Sequence, residues 1–189
     1  QMLLSAVEST FNRISVDGDT STNDTVLVMA NGTAENPPLS KDDEAAFKRG
    51  LASVLGELAA MMVRDGEGAS KTIHVKVKGA VSASDAETAA RTVANSLLVK
   101  TACYGEDPNW GRIMAAVGRS GIAMEEKNVD IWVNDVKIVE GGLGIGQEAE
   151  AQATECMKEN QFALIVDLHL GPHEERILTC DLTHEYVSI

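Results

Sequence analysis

Residues 11–24 read Phe11-Asn12-Arg13-Ile14-Ser15-Val16-Asp17-Gly18-Asp19-Thr20-Ser21-Thr22-Asn23-Asp24. A short β-leaning run, Ile14-Ser15-Val16, enters a block in which every position except Gly18 is Asp, Ser, Thr or Asn. A solvated turn needs only a few such residues. Thr25 to Ala30 is strand-like again, so the spacing predicts a polar knot between two buried strands. Hydroxyl and carboxyl side chains so placed can bond the local backbone and also present acceptors to a site.

Upstream, Met2 to Val7 is apolar and helical in pattern, without an N-cap, as expected of a helix that begins before Gln1. Downstream, a loop through Asn31-Gly32 and Pro37-Pro38-Leu39 leads to Ser40, with Asp43 three positions on, the spacing of a capping box. Ala45, Phe47, Leu51, Val54, Leu55, Leu58, Ala59, Met62 and Val63 then recur at helical spacing and predict one long amphipathic helix ending at Arg64-Asp65-Gly66. Thr72 to Val77 alternates Ile73, Val75 and Val77 with His74, Lys76 and Lys78, a half-exposed strand. Ser82 to Asp85 caps a further helix through Ala89, Val93, Leu97 and Leu98, and Gly105 to Gly111 breaks it. From Ile122 the pattern becomes β-β-α-β-β: a hairpin of Val129–Val133 and Val136–Val139 around Asn134-Asp135, a helix over 147–158, and strands over 162–170 and 177–187. This predicts an α/β chain with residues 1–120 as one part and 121–189 as a smaller C-terminal α+β subdomain.

With 29 acidic against 16 basic residues and a net charge of -13, the summed field repels nucleic acid and anionic membranes. Three cysteines without CxxC spacing, Cys103, Cys156 and Cys180, indicate a reducing compartment. No apolar run reaches membrane-spanning length and no signal-peptide pattern opens the chain, so a cytoplasmic location is expected. The sequence begins at Gln1 without an initiator Met, as a processed or trimmed piece would.

Several motifs compete for the chemistry. Asp17-Gly18-Asp19-Thr20 matches the DxDxT pattern of phosphatases with an aspartyl nucleophile, but no later strand ends in the acidic pair that would hold Mg²⁺. As a calcium loop it fails, since Thr22 occupies the glycine position and Val28 the final carboxylate position. Gly144-Ile145-Gly146, followed by Asp167, approaches a dinucleotide fingerprint, yet Gln147 and Glu148 occupy the pyrophosphate position and no further βα unit follows, which favours a strand-to-helix turn. His169 and His173 are not expected on one helical face, and no metal site is expected; His74 and His184 read as exposed strand positions. Glu67, between Gly66 and Gly68, reads either as a carboxylate held to bind a ligand ammonium or as part of a plain C-cap turn.

Taken together and in order, FNRISVDGDTSTNDTVLVMANG, RDGEGASK, VKTACYGEDPNWGRI and CDLTHEYVSI resemble the β chain of the ornithine acetyltransferase (glutamate N-acetyltransferase) family, over essentially all 189 residues. The resemblance implies a layered α/β/β/α self-processing amidase-like fold and a precursor that cuts itself at an Ala-Thr bond. The freed threonine is the nucleophile, takes acetyl from N-acetylornithine and passes it to glutamate. It implies an α-chain partner that supplies the oxyanion hole, a dimer of αβ heterodimers, and no cofactor, although some members accept acetyl-CoA as co-substrate. Glu67 matches the family's substrate-contacting glutamate. The nucleophilic threonine is expected upstream of Gln1, so no catalytic residue is expected in this chain, and substrate-contacting Asn and hydroxyl residues are expected beyond Ile189. The Asp17–Asp24 knot is expected to support the site from behind, and Arg112 reads equally as a turn buttress or a carboxylate binder. A related self-processing aminopeptidase is the rival reading.

Overall fold

The alternating run at residues 72–80 forms the strand around which the molecule is built. In the computed structural model, which describes residues 1–189, this strand, β1 (Thr72–Ala80), turns Ile73, Val75 and Val77 into the core and leaves His74, Lys76 and Lys78 half-exposed. The other strands are β2 (Asp130–Val133), β3 (Val136–Glu140), β4 (Leu143–Gly144), β5 (Gln161–Asp167) and β6 (His173–Cys180). They form one six-stranded mixed sheet in the order β4-β3-β2-β5-β1-β6. β1 runs parallel to β5, with Val75 beside Leu164, and antiparallel to β6, with Val75 beside Ile177. Residues 1–120 and 121–189 therefore share this sheet. The β2–β3 hairpin turns at Asn134-Asp135, with Asn134 in the left-handed region at φ 51°, a conformation Asn tolerates better than most residues.

Helices α3 (Ala83–Ala94), α5 (Trp110–Arg119) and α6 (Gln147–Met157) join the sheet in one apolar core. α3 lies against β1 and β6, and its buried face, Ala86, Ala89, Ala90, Val93 and Ala94, is small enough for close approach. α6 lies across β2, β3 and β5, burying Ala153 and Met157. Gly146, at φ 113°, is its N-cap, so the Gly144-Ile145-Gly146 run serves a strand-to-helix turn as read from the sequence. On the opposite face of the sheet, Trp132 lies between the Lys78 and Lys137 ammonium groups, 4.9 and 5.1 Å from its ring centroid. α1 (Met2–Glu8) packs on α2 (Lys41–Arg64), whose capping box is formed as read: Ser40 Oγ accepts from the Asp43 N–H and the Asp43 carboxylate accepts from the Ser40 N–H, both at 3.2 Å. No helix is long and apolar enough to cross a membrane.

Three elements differ from expectation. Thr25–Ala30 is not a strand; it has no ladder partner, and Leu27 and Met29 are 72% and 85% exposed. A strand needs a neighbour for its N–H and C=O groups, and the Ile14–Val16 run beside it makes only a single bridge, Ile14 to Leu178. The helix expected to run through Leu97 and Leu98 stops at Asn95, and Ser96 starts α4 (Leu97–Tyr104) by accepting from the Val99 N–H at 3.4 Å. The final strand ends at Cys180 rather than continuing to Val187, because Asp181 and Thr183 direct their side chains to other backbone groups and Thr183 caps a short helix, α7 (His184–Ser188).

Candidate functional site

Glu67 is exposed on the turn that follows α2, and the turn is held on both sides. A Cβ at Gly66 would lie 2.9 Å from Val16 Cγ1, and one at Gly68 would lie 2.7 Å from the Tyr186 backbone N. Gly68 also has φ +63°, which L side chains adopt only under strain. The two glycines are thus required by close approach, and the turn is wedged between the end of the Ile14–Val16 run and the start of α7. Two residues tie it down. The buried Asp181 carboxylate accepts the backbone N–H groups of Ser70 and Lys71, each at 2.9 Å, and the Ser70 hydroxyl. Thr183 Oγ1 donates to Gly68 O at 2.7 Å and accepts from the Glu185 N–H at 3.1 Å.

The polar knot reaches the same place. Asp17 Oδ1 accepts from the Asp19 N–H at 2.9 Å, an Asx turn, and Asp17 Oδ2 faces the Tyr186 hydroxyl, which donates at 3.4 Å. Ser15, just ahead of it, donates its hydroxyl to Asn95 Oδ1 at 2.5 Å. The negative charge of Asp17, with lesser contributions from burial, Glu67 and Asp19, holds the Tyr186 phenol above the ordinary tyrosine range. Asp17, Asp19 and Glu67 thus act on one phenol from two separate loops. An acidic patch of this kind favours a cationic group, above all an ammonium able to donate several hydrogen bonds. Beside it, a groove of about 1430 Å³ opens between the Phe11–Leu27 segment and α2; it has Phe11, Leu55, Leu58 and Met61 as apolar lining and Asp17 and Asp19 among its polar lining. That volume exceeds the ~300–1,000 Å³ of small-molecule pockets and suits a polypeptide segment.

The other candidates lie elsewhere. Arg112 spends its guanidinium on Leu98 O at 2.9 Å and Thr101 Oγ1 at 3.2 Å, joining α5 to α4. His169 Nε2 is 3.2 Å from Asp130 Oδ2 at the far end of the sheet, while His173 is an exposed β6 residue. His74 contacts Gln161 Nε2 at 2.8 Å and His184 packs edge-on against Tyr104. Groups of three or more His, Cys, Asp or Glu able to hold a metal ion are absent. Sequence reasoning missed Asp181, Thr183 and Tyr186 as individuals. The available signal was Thr183 two positions before Glu185, the spacing of a helix N-cap where a strand was expected.

The mixed sheet, the helices packed in one core with it and the carboxylate-bearing glycine turn define a mixed α/β protein with an acidic patch at one end. The ArgJ family model matches residues 1–189, and the chain belongs to the ArgJ family. It is 51% identical over 191 residues to the arginine biosynthesis bifunctional protein ArgJ of Desulfotalea psychrophila, covering all of this chain and 49% of that protein. It is 46% identical over 195 residues to the glutamate N-acetyltransferase of Methanocaldococcus jannaschii, covering all of this chain and 48% of that protein. The crystal structure of ArgJ from Bacillus halodurans superposes with a TM-score of 0.92 at 42% identity, covering 98% of this chain and 88% of that one. The chain spans about half the length of the curated relatives it matches.

Proposed function

We propose that this chain is the β-chain part of a self-cleaving acetyltransferase that moves acetyl from N-acetylornithine to glutamate, giving ornithine and N-acetylglutamate. The observation that carries the reading is the match of all 189 residues to one half of proteins that bear the names ArgJ and glutamate N-acetyltransferase. The local chemistry agrees with it. Ornithine is a diamine, and Glu67 stands exposed on a braced turn with Asp17 and Asp19 close by. In this reading Glu67 accepts hydrogen bonds from a substrate ammonium. The nucleophile is a threonine that precedes Gln1. Its hydroxyl attacks the acetyl carbonyl of N-acetylornithine, the C–N bond breaks and ornithine leaves with the proton. The resulting acetyl ester is then attacked by the amine of glutamate, which restores the hydroxyl. Acetyl-CoA would enter as an alternative donor at the same ester-forming step.

The partner in this reading is the α chain of the same precursor, in a dimer of αβ pairs in the cytoplasm. The groove beside the knot, the unpaired Leu27–Met29 segment and the outward Phe47, Val54 and Met61 of α2, 53%, 58% and 56% exposed, form the apolar surface it would cover. Contiguous apolar exposure of this kind marks a protein contact. Residues 1–120 are then the part that meets the α chain, and 121–189 the remaining α+β part.

The test uses the full-length protein, with ornithine release from N-acetylornithine followed with and without glutamate. Glutamate-dependent acetyl transfer is expected, and glutamate-independent deacetylation would support the aminopeptidase reading instead. Glu67→Ala should raise KM for N-acetylornithine about thirtyfold, the equivalent of about 2 kcal/mol for a lost charged hydrogen bond. Wild-type kinetics in that variant would remove Glu67 from the site.

A further inference from the structure

We propose that Asp181 and Thr183 are the positioning residues of Glu67, so that the segment after the last strand sets the affinity of a site whose carboxylate lies more than a hundred residues earlier. The inference rests on the reading of Glu67 as the substrate-contacting carboxylate. Its geometric basis is independent of that reading. Beyond Glu67, the Ser70 and Lys71 N–H groups and the Ser70 hydroxyl donate to Asp181 and Gly68 O accepts from Thr183, while the Lys71 ammonium reaches away to Glu106 Oε1 and Met157 O. Asp181 and Thr183 are both buried, at 2% and 7% exposure.

A buried carboxylate used only to fix a loop is costly unless compensated. Asp181 accepts two backbone N–H groups and one hydroxyl, which satisfies its oxygens. The buried Lys100 ammonium lies nearby, donating to Thr179 Oγ1 at 3.1 Å and to Cys180 O. Burial pushes the Lys100 ammonium below the ordinary lysine range, while Cys180 and Asp181 oppose that push. The Asp181 N–H also donates to Lys71 O at 3.3 Å, so this one residue holds the 70–71 backbone through both its side chain and its main chain. Thr183 completes the clasp because its one hydroxyl donates to Gly68 O and accepts from the Glu185 N–H. The same side chain therefore fixes the turn and starts α7, and α7 brings Tyr186 to Asp17. Losing the hydroxyl frees Glu67 and the phenol together.

The test combines Asp181→Asn and Thr183→Val with Glu67→Gln in the full-length enzyme, and uses Thr183→Ser as the conservative rescue. The readouts are KM for N-acetylornithine, kcat and the thermal midpoint. Asp181→Asn and Thr183→Val should each raise KM about tenfold, as expected for a lost buried hydrogen bond that controls a binding group. In the Glu67→Gln background each should raise it by less than about twofold, since a residue acting through Glu67 has little left to act through. Thr183→Ser should restore KM to near the wild-type value. Should Asp181→Asn fail to fold, the Thr183 pair decides the matter. An unchanged KM in Thr183→Val, or the same fold increase with and without Glu67, overturns the proposal. A wild-type KM in Glu67→Gln alone overturns the reading of Glu67 itself, and with it the positioning role, so the two failures are told apart.

Discussion

Gly68→Ala separates two physical demands made on one residue. The backbone there has φ +63°, and an added Cβ would stand 2.7 Å from the Tyr186 N and 3.0 Å from Thr183 Oγ1. Holding an L residue in the left-handed region costs about 1 kcal/mol. Relieving the contact moves the turn away from α7 and stretches the 2.7 Å bond from Thr183 Oγ1 to Gly68 O, adding about 1 kcal/mol for a lost buried hydrogen bond. Gly121 provides the control, with φ +78° and no atom within 4 Å of its would-be Cβ. Gly121→Ala therefore carries only the backbone cost. At roughly 2–4 °C per kcal/mol for a chain of this size, the thermal midpoint should fall by about 3 °C in Gly121→Ala and about 6 °C in Gly68→Ala. The assay is thermal or urea unfolding of the two variants beside wild type. If Gly68→Ala falls no further than Gly121→Ala, the turn is not clamped against α7 and the account of how Glu67 is held is wrong.

The His74 ring is held below the ordinary histidine value of 6.5, mainly by burial and secondly by Arg176. Between its folded pKa and 6.5 the unfolded chain binds a proton that the folded chain does not, so stability rises with pH through that window. His74→Gln should flatten the rise in urea midpoint, and an unchanged slope in the variant would exclude His74 as its source. Burial pushes the Cys103 thiol up to about 12 and raises Cys180 as well, whereas Cys156 is half-buried on α6. Iodoacetamide followed by mass spectrometry should therefore label Cys156 first in the native protein; equal labelling of Cys103 would contradict its burial.

The elements most legible in the sequence were those whose hydrogen bonds close locally or whose burial is periodic. The Ser40–Asp43 box, the alternation of β1 and the Asn134-Asp135 hairpin all formed at the positions their residues dictate. What failed depended on partners distant in the chain. Thr25–Ala30 has the composition of a strand, but a ladder requires a neighbour that no local pattern can supply. The run through Leu97 and Leu98 kept helical spacing across Asn95-Ser96, and periodicity alone does not reveal a cap inserted in register. At the candidate site, the two flanking glycines marked Glu67 but left a plain C-cap turn equally open, and only the family resemblance read it as a substrate contact. Asp181 was not marked, because its partners lie more than a hundred residues away and nothing in CDLTHEYVSI announces a buried carboxylate, and the N-cap spacing of Thr183 to Glu185 gives no hint of its bond to Gly68. The knot's charges were legible, but its meeting with Tyr186 exists only in three dimensions.

The placement of β1 between β5 and β6 has a kinetic consequence. β1 is synthesised long before either neighbour, the nearer of which begins at Gln161. A nascent chain therefore carries a β-rich apolar strand with two open edges while more than eighty further residues are made. Pairings so distant in sequence form late and slow folding, and an unpaired strand in that interval is a template for aggregation. Lys71, Lys76 and Lys78, within and beside the strand, are the kind of charged gatekeepers that keep such an intermediate soluble. In the finished fold Lys76 and Lys78 pair with Glu174 and Asp167, and Lys71 with Glu106. The charges that guard the waiting strand thus become ion pairs once the chain has closed around it.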